Sequence, residues 1–144
     1  MKHIKLATLS LLMLASLSAF HSAYALEPSG PESDAGAVVL RYFDAHIQGD
    51  TATIRALISG DLLEKRARLI GNPTYSGHLI DTYGQARIEI TGYSTLDDGS
   101  ISVEARVFMS PDETLNKRFL LKRGSGGTGA TPSGFLIYGE MPVM

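Results

Sequence analysis

The chain has 144 residues, with 13 Lys and Arg against 15 Asp and Glu, and no cysteine. A slightly acidic balance with no basic stripe among aromatics gives no electrostatic footprint for nucleic acid. The absence of cysteine excludes disulfides, thiol nucleophiles and cysteine-based metal sites.

Lys2 and Lys5 precede an apolar stretch from Leu6 to Phe20, and Ala23-Tyr24-Ala25 places small residues where a signal peptidase reads. This pattern predicts a secretory signal peptide over residues 1–25, too short for a stable membrane span. The mature chain is expected to begin near Leu26, to be periplasmic or secreted, and to keep no membrane contact after cleavage. Beyond the signal, 11 basic residues stand against 15 acidic ones, a net charge of −4. Residues 26–34 (LEPSGPESD) are rich in Pro, Gly, Ser and acid and read as a flexible leader. Residues 35–144 are long enough for a single domain with one core.

Ser33 or Asp34 can cap a helix from Ala35 to Gln48, whose apolar residues Val38, Val39, Tyr42, Phe43 and Ile47 recur at helical spacing. Gly49 ends it, and Asp50 caps a second helix with Ile54, Leu57 and Ile58 on one side. After Gly60, Asp61 and Glu64 have capping-box spacing for a helix through Ile70, which Gly71-Asn72-Pro73 stops. Tyr75, Leu79 and Tyr83 then predict a short fourth helix before Gly84.

From there the period changes to two. Ile88 and Ile90 alternate with Arg87 and Glu89, and Ile101, Val103, Ala105, Val107 and Met109 alternate with mainly polar neighbours. Asp98-Gly99 between them predicts a two-residue hairpin turn. That turn would set Ile90 opposite Val107, Ile88 opposite Met109 and Gly92 opposite Ala105, a thin point where the sheet could bend or leave a cavity. Ser110-Pro111-Asp112-Glu113 makes the next turn; Leu115, Phe119 and Leu121 continue the inner face, and Phe135 with Ile137 closes a fourth strand. Helices followed by an antiparallel meander predict an α+β fold, with the N-terminal helices packed on a curved antiparallel sheet as a cone-shaped roll.

The stretch AVVLRYFDAHIQGDTATIRAL, residues 37–57, resembles the opening of the nuclear transport factor 2-like superfamily, the cystatin-like roll. The likeness rests on Val38-Val39, Tyr42-Phe43, Ala45, Gly49-Asp50, Ile54 and Leu57. Within that superfamily the stretch is most similar to the ketosteroid isomerase branch, whose first helix carries a catalytic tyrosine where Tyr42 stands. The resemblance implies the roll fold, but not one function, since its members include isomerases, cyclases, dehydratases, transport adaptors and exported domains without assigned activity. It departs from the family where the strand usual after the second helix is replaced by the helical run 61–83, and at His46, where the superfamily usually has an apolar residue.

On a helical wheel Tyr42 and His46 share the apolar side, while Arg41, Asp44 and Gln48 point to water. Asp44 therefore belongs to a solvated face and Asp50 to a helix cap. Tyr42 and His46 admit two readings. A neutral imidazole bonded to the tyrosine hydroxyl or a backbone carbonyl would be a satisfied core pair. In the functional reading, Tyr42 donates to a ligand oxygen and His46 tunes it or moves a proton. Ketosteroid-type chemistry also needs a carboxylate base and usually a second acid that donates to the oxyanion. Neither carboxylate can be placed here, because the segment that would supply the base is helical and Lys117 occupies the inner-strand position near the second acid.

Lys117 is the one charge on the inner face of its strand. Its stem would run along the core with the ammonium in water, or it would meet a ligand carboxylate. His78 and Asp81 are spaced as a dyad but lie off the apolar stripe, as a surface pair. Gly124–Gly129 matches G-x-G-x-x-G, yet Pro132 and Gly134 prevent the helix that pyrophosphate binding requires, so it reads as a hairpin loop. No His, Asp or Glu group has metal-ligand spacing, and no cofactor is implied.

Tyr93, Phe108, Leu120, Leu136 and Tyr138 all fall on the outer sheet face by this parity. So much apolar surface suits a homodimer through the sheet. The function expected is thus an exported, non-catalytic roll binding a small apolar ligand or a protein partner, with Tyr42, His46 and Lys117 facing the ligand. The alternative is an isomerase- or dehydratase-type enzyme using Tyr42 and His46 in the roll cavity.

Overall fold

In the computed structural model, which describes residues 30–124 and 131–144, four helices precede four strands. They are α1 (Pro31–Gln48), α2 (Thr51–Leu57), α3 (Gly60–Ile70), α4 (Tyr75–Tyr83), β1 (Arg87–Thr95), β2 (Ile101–Ser110), β3 (Glu113–Arg123) and β4 (Phe135–Pro142). The strands form one open antiparallel sheet in the order β1-β2-β3-β4, so the fold is α+β. The signal peptide, the leader up to residue 29 and residues 125–130 of the glycine-rich run lie outside the described residues. Among the described residues no helix is long and apolar enough to cross a membrane.

The helix assignments differ from expectation at two starts. α1 begins at Pro31, four residues ahead of Ala35, with Gly30 rather than Ser33 or Asp34 at the N-cap. Proline is tolerated at the first helical position because its missing N–H would find no helical partner there. Glu32 and Asp34 then lie in the first turn, where the helix dipole favours negative charge. α3 starts at Gly60 behind Ser59, which makes no side-chain cap bond, and Asp61 lies within the first turn instead of capping it. Asp50 does cap α2, accepting the Thr53 N–H at 3.0 Å. Ile58, placed by periodicity on α2, lies just beyond it in extended backbone and bridges Ile137 of β4 in parallel.

Between β1 and β2 the register also differs. The loop is Asp97-Asp98-Gly99, closed by Leu96 N–H donating to Ser100 O (2.8 Å) and Gly99 N–H to Leu96 O (2.9 Å). Gly99 sits at φ 80°, the left-handed position of a three-residue hairpin. The longer loop pairs Gly92 with Glu104 and Tyr93 with Val103, one step from the expected register. A bulge between Ile90 and Gly92 then adds a second step, pairing Ile90 with Ala105 and Ile88 with Val107. Two single-residue shifts restore the facing of Ile88 and Ile90, but Tyr93 lies between them and is turned over. It packs against the core, and a Cβ on Gly36 of α1 would stand 2.5 Å from its hydroxyl. Tyr93 therefore does not belong to an outer-face patch.

On that outer face, Arg87 covers the ring of Phe108 at 4.6 Å and Lys122 that of Tyr138 at 4.8 Å. Phe108, Leu120, Leu136 and Tyr138 are each only partly exposed.

The core lies between α1 and the inner sheet face. Val38, Val39 and Tyr42 of α1 meet Val103, Phe119 and Ile137, with α2 contributing Ile54 and Leu57. A smaller cluster of Phe43, Ala86 and Val107 fills the end near Tyr83 and Met109. Leu115, opposite Val107, is 37% exposed, and here the inner face is open.

Candidate ligand site

Tyr42 and His46 sit one turn apart on the buried stripe of α1, 2% and 4% exposed. The His46 Nδ1 lies 2.8 Å from the Tyr42 backbone oxygen. A carbonyl can only accept, so Nδ1 carries the proton, leaving Nε2 as the acceptor in the neutral ring. Arg66 Nη1 of α3 stands 3.3 Å from that Nε2. Burial drives the His46 pKa down to about 4, and the Arg66 and Lys117 charges add to the fall against the carbonyl bond and Glu140. His46 is thus neutral near pH 7, held by the backbone carbonyl that the core-pair reading allowed.

The Tyr42 hydroxyl does not face an empty cavity. It donates to Glu140 Oε2 at 3.0 Å. Arg66 Nη2 donates to the same oxygen at 2.7 Å, and Lys117 Nζ to Oε1 at 2.5 Å. Burial and the neighbouring carboxylate raise the Tyr42 pKa well above its ordinary value, so the phenol stays protonated. For Glu140, burial alone would raise the pKa, but the Lys117 and Arg66 charges outweigh it and hold the carboxyl below its usual range. Lys117 does face inward opposite Ala105, but its ammonium goes to Glu140 rather than out to water.

Glu140 and Arg66 were not recognised in the sequence. Alternation from Phe135 and Ile137 sends residue 140 to the outer face. A register shift pairs Leu120 with Gly139 but Leu121 with Ile137, so β4 gains a residue at Tyr138-Gly139 and Glu140 turns inward opposite Phe119. A glycine inside a strand is the signal that could have revealed this bulge. Arg66 lies four residues after Leu62 and four before Ile70, both buried, so helical spacing put it on the inward stripe of α3.

Three charges on three elements thus meet with a net value of +1: Arg66 and Lys117 positive, Glu140 negative, His46 neutral. A pocket of about 420 Å³ opens beside them, with Arg66, Lys117 and Glu140 at its polar end. Leu115 and Pro142, on the same sheet face as Lys117, supply its apolar part, and Thr114, Asn116, Met141 and Val143 complete the lining. Pockets of this size are within the range of small-molecule sites.

Acid–base chemistry is poorly served by this arrangement. Glu140, the carboxylate that Tyr42 bonds, is ionised and accepts from two cations, the imidazole faces a guanidinium, and the phenol already has its acceptor.

The remaining candidates lie elsewhere. His78 and Asp81 are exposed on α4, and His78 stacks on Tyr75 with ring centroids 6.2 Å apart. Asp44 is exposed on α1. The strands flanking the glycine-rich run, β3 and β4, pair antiparallel, so no βαβ unit surrounds it. Among the described residues no group of three His, Asp or Glu side chains is placed to hold a metal ion. Comparison with protein-family models, with curated proteins and with solved structures finds no match.

Proposed function

We propose that the chain is an exported, non-catalytic roll domain of the nuclear transport factor 2-like kind, and that it binds a small ligand with an apolar body. The ligand lies in the pocket at the open end of β3 and β4. The observation that carries this reading is the pairing of every acid–base group beside that pocket. Tyr42 and His46 are bonded behind that pocket, outside its lining, and Glu140 holds Arg66 and Lys117 in place, so the groups build a fixed polar wall instead of a reactive centre. The run 37–57, followed by more helices and an antiparallel meander, supports the family reading. Lys2, Lys5, the apolar stretch and Ala23-Tyr24-Ala25 support export.

Native mass spectrometry tests this on protein made as the full precursor in an exporting bacterium. The expected product begins at Leu26 and carries a small adduct that is lost on unfolding. Mature protein that has no adduct and binds no member of an amphiphile panel overturns the ligand reading. Turnover of a ketosteroid-type substrate, lost in Tyr42→Phe without loss of stability, would replace it with the enzyme alternative.

A further inference from the structure

The charges at the polar end of the pocket do not balance. Glu140 accepts from both Arg66 and Lys117, yet one carboxylate between two cations leaves one positive charge over. The donors do not balance either. Lys117 has three N–H groups and directs one at Glu140. Arg66 has five and uses one toward His46 and one toward Glu140. Their side chains keep 20% and 22% exposure, and both line the pocket. Among the described residues, spare charge and spare donors thus lie in a pocket whose lining is completed by Leu115 and Pro142 with Thr114, Asn116, Met141 and Val143.

We propose that this pocket takes a small amphiphile bearing a single carboxylate, its head on Lys117 and Arg66 and its apolar body along Leu115 and Pro142, which share the inner sheet face with Lys117. The inference rests on the ligand-binding reading above and adds the class of ligand. A monoanion brings the cluster to neutrality. A dianion would leave an excess negative charge beside Glu140, a cation would add to the existing positive charge, and a neutral head would leave that charge uncompensated. A carboxylate also has two oxygens, matching the planar donors of a guanidinium.

Calorimetric titration of the mature protein at pH 7 and low salt, with decanoate, decanol, decyl phosphate and decyltrimethylammonium below their micelle concentrations, tests the class. Decanoate is expected to bind at least tenfold more tightly than the other three, and to weaken as salt is added. Lys117→Gln is expected to remove the preference for decanoate over decanol. Because Lys117 also holds Glu140, a second variant, Val143→Asp in the lining, keeps all three charged residues, puts a competing carboxylate in the pocket and is expected to weaken decanoate at least tenfold. Equal binding of decanol and decanoate would sink the head-group inference while the ligand-binding reading stands. Tightest binding of decyl phosphate would overturn the carboxylate class. Decanoate binding that ignores both substitutions places the amphiphile elsewhere and overturns the proposal. No binding of any of the four defeats both.

Discussion

Glu140 is the residue on which the site depends. It accepts three hydrogen bonds, one from a phenol and two from cations, and its side chain is 9% exposed. Replacing it with Gln removes the charge that Arg66 and Lys117 share and leaves two cations facing each other. Breaking an ion pair of this kind by neutralising one partner costs about 3 kcal/mol. Tyr42→Phe removes one hydrogen bond to a charged acceptor, which is worth about 2 kcal/mol. Urea unfolding of both variants should therefore rank Glu140→Gln as the more damaging, with a double variant less harmful than the sum. Additive losses would mean that the hydroxyl and the carboxylate do not act together.

At the level of elements, the joint between α1 and α4 has little tolerance. Gly49 stands at φ 66° after the last turn of α1, and its N–H donates to His46 O at 3.2 Å. Its own carbonyl accepts the Ser76 hydroxyl of α4 at 2.7 Å. A Cβ here would lie 2.7 Å from both the Ser76 backbone oxygen and hydroxyl, in a conformation that already disfavours any side chain. Gly49→Ala is expected to cost about 2 kcal/mol or more. Asp50→Ala, one residue on, loses only a cap and should cost about 1 kcal/mol. Thermal melts of the two variants check the order; equal melting points would mean that α4 moves away at little cost.

For the molecule as a whole, the buried titratable groups set how stability changes with pH. His46 falls from an ordinary value of 6.5 to about 4 in the folded state. Between those values the unfolded chain binds more protons, so stability rises with pH across the window. Stability from the neutral imidazole is full above pH 6.5 and is lost as pH falls to 4, roughly 3 kcal/mol in all. Glu140 is also held low, so its contribution is present above its ordinary value of 4.5 and is lost as pH falls through the depressed folded value. Denaturant titrations at pH 7, 5.5 and 4 should thus show a steady loss that begins before Glu140 titrates. His46→Leu should flatten the upper part of the profile and leave the acid limb. An unchanged slope above pH 4.5 would assign the loss to other groups.

Local pattern alone determined the four helices, the four strands and the inward facing of Tyr42, His46 and Lys117. Each follows from a period of 3.6 or two that near neighbours impose, and the α+β order follows from their succession. Local pattern did not reach Glu140, Tyr93 or the start of α1. Strand parity survives only while the register does, and one extra residue at Tyr138-Gly139 or in the Asp97-Asp98-Gly99 loop turns over every side chain until the next shift. Nor could spacing join Arg66, Lys117 and Glu140, because they come from α3, β3 and β4 and meet only when the helices close over the sheet. Whether Lys117 ends in water or on a carboxylate is decided by an electrostatic partner 23 residues away in the chain, and only the tertiary structure brings such partners within bonding distance.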